Sequence, residues 1–203
     1  MLTLCVVTVV RGWHMVGFAE ARARVVAGNA DVEGLRQWIG VPGLSTPALA
    51  LLVAREGQIG SPEALRVRSD DLTHLLSLRP LSSADWLALA AARLEAERPA
   101  TEVEAALTMS WLTGPNEAPI MWPRAVFGIL HWEALSEEPQ NRVVADLSSS
   151  IVGHAATAED LSLAGHLLSR QSRDVRAAIA TKLRAASVTE AELAKLGLPG
   201  ADG

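Results

Sequence analysis

Residues 80–93 read Pro80-Leu-Ser-Ser-Ala-Asp-Trp86-Leu-Ala-Leu89-Ala90-Ala-Ala-Arg93, and the chain continues through Val103-x-x-x-Leu107-x-x-Ser110 to Thr113-Gly-Pro115-Asn-Glu. This stretch decides the fold. Ser82-x-x-Asp85 opens a helix that carries a large aromatic, Trp86, then apolar Leu89 and small Ala90 at helical spacing. Glu97-Arg98-Pro99-Ala100 interrupts it, and Thr101-x-x-Glu104 has the pattern of a capping box for a second helix. That second helix carries Leu107 and Ser110, and Gly114-Pro115 ends it. Two amphipathic helices joined by a tight turn make a helix–turn–helix unit, which buries its stripes against neighbouring helices.

The order of residues along this unit resembles the tetratricopeptide repeat, a helical hairpin of about 34 residues closed by proline. Pro80 and Pro115 stand 35 positions apart, and Trp86 falls six residues after Pro80, where the aromatic of a new unit belongs. The extra residue fits the turn at 97–100. The positions that carry the resemblance are Pro80, Trp86, Leu89, Ala90, Leu107, Ser110 and Pro115. Ala90 stands where glycine is usual, Arg93 where tyrosine is usual, and Val103 where a small alanine is usual. The resemblance implies an α-solenoid that binds partners through a surface rather than one that performs chemistry.

Outward from this unit the same signals recur. Asp31 caps a short helix through Trp38. Ser45 or Thr46 with Pro47 opens another, and Ser61-Pro62-Glu63 opens one that runs through Leu65, Leu72, Leu75 and Leu76. Asn116 begins an apolar helix, with Pro119 and Pro123 predicting a late start or a kink. Ser136-Glu-Glu, Thr157-x-x-Asp160, Asp174 and Thr189-x-x-Glu192 begin four more, and Gly197–Gly203 reads as a frayed tail. Gly28-Asn29 and Gly57 read as stops. The expected fold is all-α, about ten helices with short connections, and Val6–Val10 is the only β-like stretch. Residues 19–203 form the helical-repeat domain, with the clearest repeat at 80–115 and a capping hairpin over 174–196.

Bulk composition excludes several functions. The chain has 203 residues, 49% of them hydrophobic, and a formal charge of -5. An acidic chain with no run of Lys or Arg lacks the basic face that nucleic-acid binding needs. One Cys allows neither an intrachain disulfide nor a thiolate cluster. The histidines, His14, His74, His131, His154 and His166, include no pair at the i, i+3 or i, i+4 spacing of helical metal sites. No nucleophile elbow or phosphate loop occurs, and Glu95, Glu97, Glu102 and Glu104 read as solvated acids. We therefore expect no metal, no cofactor and no catalytic residues.

The N-terminal segment 1–18 is apolar: Leu2–Val10 is uninterrupted, and Arg11 separates it from Gly12–Phe18. Three readings stand side by side: a buried first segment, a membrane anchor lacking its upstream part, and an interfacial helix. The span is shorter than the ~20 residues that cross a bilayer.

From Leu75 to Asp146 the chain also resembles a group of small helical proteins found with bacterial polysaccharide-synthesis and export components. The residues that carry this are Leu76-Ser-Leu-Arg-Pro-Leu-Ser-Ser-Ala-Asp-Trp86, Thr113-Gly-Pro-Asn-Glu117 and Trp132-Glu-x-Leu135. That resemblance implies an inner-membrane tether through Leu2–Phe18 and a periplasmic helical domain that scaffolds protein partners; the alternatives are an integral accessory subunit of a membrane complex and a cytosolic helical-repeat adaptor. The partner surface is expected on Asp85, Ala88, Ala92 and Glu95 of the first repeat helix, Arg124 of the next unit, and Asn116 and Glu117 of the turn. Trp111, Trp122 and Trp132 read as core, or as core with one surface anchor. Arg173, Arg176, Lys182 and Arg184 give the capping hairpin a polar outer side.

Overall fold

The computed structural model describes residues 2–27, 32–56, 61–153 and 155–200. Over that range the protein is all-helical: eleven α-helices and one short 3-10 turn, with no strand among the described residues. The predicted cap at Asp31, the stops at Gly28-Asn29 and Gly57, and His154 lie outside the described residues, as do residues 201–203. The chain divides into two compact units, Met1–Leu81 with Ala92–Arg98, and Ser82–Ala91 with Pro99–Gly203. The division falls inside the predicted repeat at 80–115.

The first unit contains α1 (Leu2–Val26), α2 (Val32–Arg36), α3 (Ser45–Glu56), α4 (Pro62–Leu78) and the end of α5 (Ser83–Glu95). Val6–Val10 is helical: it lies inside a 25-residue helix that runs without a break through residue 18. Ser61 caps α4 as the Ser-Pro-Glu signal predicts, its hydroxyl accepting from the Ala64 N–H at 3.2 Å, with Pro62 in the first turn. α3 packs along α4 and against α2, and Leu35 on α2, Leu49 and Leu52 on α3, and Leu72 and Leu75 on α4 are buried. Each such leucine contributes about 1.5–3 kcal/mol. Arg36 on α2 grips Asp71 on α4 through two hydrogen bonds of 3.3 and 2.9 Å. Phe18 and His14 on α1 meet Trp38 edge-on at 6.1 and 5.9 Å. Among the described residues no helix is long and apolar enough to cross a membrane.

The second unit contains the start of α5, then α6 (Ala100–Thr113), α7 (Ala118–Leu130), the 3-10 turn Trp132–Ala134, α8 (Glu137–Val152), α9 (Ala158–Ser169), α10 (Arg173–Ala185) and α11 (Glu190–Lys195). α7 and α8 lie closest, because Gly128 presents no side chain where a Cβ would sit 2.1 Å from Val143 Cγ2. Beyond such neighbours, α6 packs on α8, α7 on α9, α8 on α10 and α9 on α11.

The helix ends show where local signals held and where they were overridden. Thr157 with Asp160 and Thr189 with Glu192 form complete capping boxes. Thr101 with Glu104 does not, because α6 starts at Ala100 with Pro99 as its cap. Glu104 instead accepts from the backbone N–H of Ser136, at the start of α8, at 2.5 Å and from its hydroxyl at 3.0 Å. α7 begins at Ala118 rather than Asn116, with Pro119 in its first turn and Pro123 inside. α10 is capped by Ser172, whose hydroxyl accepts from the Val175 N–H, rather than by Asp174. The tail is tied down at its start: Gly197 takes a left-handed conformation and the Leu198 N–H returns to the Leu193 carbonyl at 3.1 Å. Leu196 and Leu198 are buried as a result.

Candidate functional site

The predicted partner-binding residues divide between the two units. Ala92 and Glu95 belong to the first; Asp85, Ala88, Asn116, Glu117 and Arg124 belong to the second. Glu95 is exposed and meets Arg68 at 3.5 Å. Asn116 and Glu117 are exposed, and Asp85 and Ala88 are half-buried. Two expectations are corrected. Ala92 is buried and presents nothing at a surface. Arg124 is 0% exposed, its guanidinium turned wholly into the second unit.

The reason lies in the register of α7. Arg124 falls between Ile120 and Gly128, four residues to each side, and so on the face that Gly128 presses against α8. On α8, Asp146 occupies the same stripe as Val143, Leu147 and Ile151, all buried. The two helices thus bring a cation and a carboxylate together inside the core. Arg124 Nε and Nη2 donate to Asp146 Oδ2 and Oδ1 at 2.8 and 3.1 Å. Nη1 donates to the carbonyls of Ser110 at 3.0 Å and Gly114 at 2.9 Å, and Nη2 reaches the Pro115 carbonyl at 3.4 Å. Five donors of one guanidinium are thereby matched to five acceptors.

These bonds explain the Thr113–Glu117 loop. The Ser110 carbonyl near the end of α6 accepts from the Gly114 N–H at 3.2 Å, and the buried cation adds a second donor there, takes the Gly114 and Pro115 carbonyls beyond the helix, and meets the negative end of the helix dipole. Ser110 donates its hydroxyl to the Ser83 carbonyl at 2.8 Å, and the Ser83 hydroxyl donates to the Glu117 carboxylate. Gly114 sits between them, where a Cβ would lie 2.5 Å from Glu117 Oε2 and 2.7 Å from Ser83 Cβ. The loop is therefore a buckle holding the start of α5, the end of α6 and the start of α7.

Asp146, 4% exposed, also accepts from the Trp111 indole N–H at 2.7 Å. Burial pushes its carboxyl above the ordinary value of 3.8; hydrogen bonds from Arg124 and Trp111, and the charges of Arg124 and Arg142, pull it back. The Arg124 and Arg142 guanidiniums stand 6.0 and 5.7 Å from the Trp111 ring centroid. Arg142 also pairs with Glu138 at 2.5 Å. Trp111 and Trp132 are buried and Trp122 is half-buried, which makes Trp122 the most exposed of the three.

Leu89, Ala90, Leu107 and Ser110 are buried, Trp86 is half-buried, and Pro80 and Pro115 are exposed in the turns. On the terminal hairpin, Lys182 donates to Asn141 at 2.6 Å and Arg184 pairs with Glu190 at 2.6 Å. That pairing holds Glu190 below the usual carboxylate range and Arg184 above its own. Two of the four cations expected to face outward are thus engaged within the unit.

Asp146 joins Arg124, expected at a partner surface, to Trp111, expected in the core, and is the member that the sequence did not single out. A charged residue inside an apolar stripe, as Asp146 is between Val143 and Leu147, was the available signal. No protein-family model, curated protein or solved structure matches the chain.

Proposed function

We propose that the protein is a non-catalytic scaffold that binds a protein partner through the surface of a tetratricopeptide-like α-solenoid. The observation that carries this is the packing order of the second unit, where α6, α7, α8 and α9 each rest on the helix two further along. Stacked helical repeats bury their stripes in that way and leave an extended face for binding. The buried Arg124–Asp146 pair supports the same reading. Its donors are spent on holding helix ends, so it stiffens a scaffold rather than facing a substrate. A tether to a bacterial inner membrane through Leu2–Phe18, a periplasmic helical domain and service in an envelope polysaccharide system belong to this proposal and rest on the sequence resemblance alone.

The test is site-specific photo-crosslinking in the cells that make the protein. A photoreactive residue at Glu95 or Asn116, both exposed, is expected to trap one discrete protein, and the same residue at exposed Ala178 on α10 to trap none. Equal capture from all three positions, or capture from none, removes the partner-surface reading. Carbonate washing of membranes tests the tether separately: a chain released by carbonate is not anchored.

A further inference from the structure

The first unit carries a groove that the scaffold reading does not use. The second half of α1 and the turn leading into α3 line an open groove of about 580 Å³, within the ~300–1,000 Å³ of small-ligand pockets. Its floor is Phe18 and Leu44, both buried, and Pro47 stands at one side. Met15 and Val26 line it at 61% and 73% exposure, apolar surface left in water. Helical spacing puts Met15, Arg22 and Val26 on one side of α1, and Met15 to Val26 spans roughly 17 Å at 1.5 Å per residue.

Charge narrows the ligand. The chain is acidic overall, at -5, yet no acid lines this groove among the described residues. The one charge there is Arg22, exposed and making no ion pair with another described residue. Its aliphatic stem can lie along the apolar wall while the guanidinium stays at the mouth. Size narrows it further. A single alkyl chain laid along that ~17 Å of helix needs a volume of the small-ligand scale that the groove offers. A flat bilayer surface does not enter a concave site with a buried floor.

We propose that this groove binds one single-chain anionic amphiphile, a fatty carboxylate, with its alkyl chain along Phe18 and Leu44 and its carboxylate on Arg22. The site stands whether or not the chain is a scaffold.

The experiment titrates the full chain with 11-(dansylamino)undecanoic acid and with its methyl ester. Saturable one-to-one binding of the acid, at least tenfold weaker for the ester and for Arg22→Glu, is expected. Ala19→Trp, which fills the groove from an exposed position, should abolish it, while Ala178→Trp on α10 should not change it. Circular dichroism verifies that each variant is folded. No saturable binding, equal binding of acid and ester, or unchanged binding by Ala19→Trp overturns the proposal. So does light scattering that shows a dimer dissociated by Ala19→Trp, which would make a second copy the occupant. Association with anionic phosphatidylglycerol vesicles in the absence of one-to-one probe binding overturns it as well.

Discussion

Replacing Arg124 with Met removes the guanidinium from the core of the second unit and keeps most of its aliphatic bulk. Asp146 is then left with the Trp111 N–H and without its bidentate partner. Breaking a buried ion pair from one side costs about 3–5 kcal/mol. Protonation sets a ceiling on that cost. Taking up a proton at pH 7 on a carboxyl with an ordinary value of 3.8 costs about 1.4 kcal/mol per pH unit, or roughly 4 kcal/mol. The two figures agree, so Arg124→Met should lose about 3–4 kcal/mol at pH 7. The loss must also depend on pH. In the variant the folded-state carboxyl titrates above its unfolded value, so the folded state binds the extra proton. The deficit is therefore full above the folded value and fades as pH falls toward 3.8. Between pH 7 and pH 5 it should shrink by up to about 3 kcal/mol. In the wild type the same carboxyl is already raised by burial, so its own contribution runs in the same direction to a smaller extent. Urea unfolding at pH 7, 6 and 5, followed by circular dichroism, measures this for wild type, Arg124→Met, Asp146→Asn and the double variant. The double should be less damaged than the sum of the singles by about 1–3 kcal/mol. A deficit below about 1 kcal/mol, or one independent of pH, would refute the buried pair.

Further expectations follow from particular contacts. Gly128→Ala puts a methyl group into the stiff Val143 side chain, at 2.1 Å from Cγ2, and should cost about 1–3 kcal/mol; adding Val143→Ala should recover part of that in the same unfolding assay. Glu97 and Ser187 sit at φ 54° and 66°, each followed by a return bond, Arg98 N–H to the Arg93 carbonyl and Val188 N–H to the Leu183 carbonyl. Both are helix ends of the kind that glycine favours, so Glu97→Gly and Ser187→Gly should each raise stability by about 0.5–1 kcal/mol, and a loss at either site would contradict the geometry. Thr157→Ala removes a side chain that accepts from the Asp160 N–H and should cost about 1 kcal/mol, seen as faster amide exchange at the start of α9.

The helical class and most helix starts were legible because they depend on residues within one turn. Thr157 with Asp160, Thr189 with Glu192, and Ser61 with Pro62 satisfy their own backbones, and the structure places each as expected. Thr101 with Glu104 carries the same letters and fails, because Glu104 finds the start of α8 instead. A carboxylate offered two sets of N–H donors cannot be assigned from spacing alone. The Val6–Val10 run, β-like by local propensity, is helical within α1, where twenty further residues continue the same helix.

What the sequence by itself determined is the all-α class, the short connections, the caps at Ser61, Thr157 and Thr189, and the stripes that Leu89, Ala90, Leu107 and Ser110 bury. Those follow from backbone hydrogen bonding and periodicity, which act within a few residues. Only the tertiary structure decided the fate of Arg124. A cation on an apolar helix is equally consistent with a partner-binding face and with a buried pair, until α8 brings Asp146 and α6 brings Trp111 to it. Asp146 lies 22 positions away and Trp111 lies 13; the packing of α7 on α8 through Gly128 closes the first distance, and that of α6 on α8 brings Trp111 to Asp146.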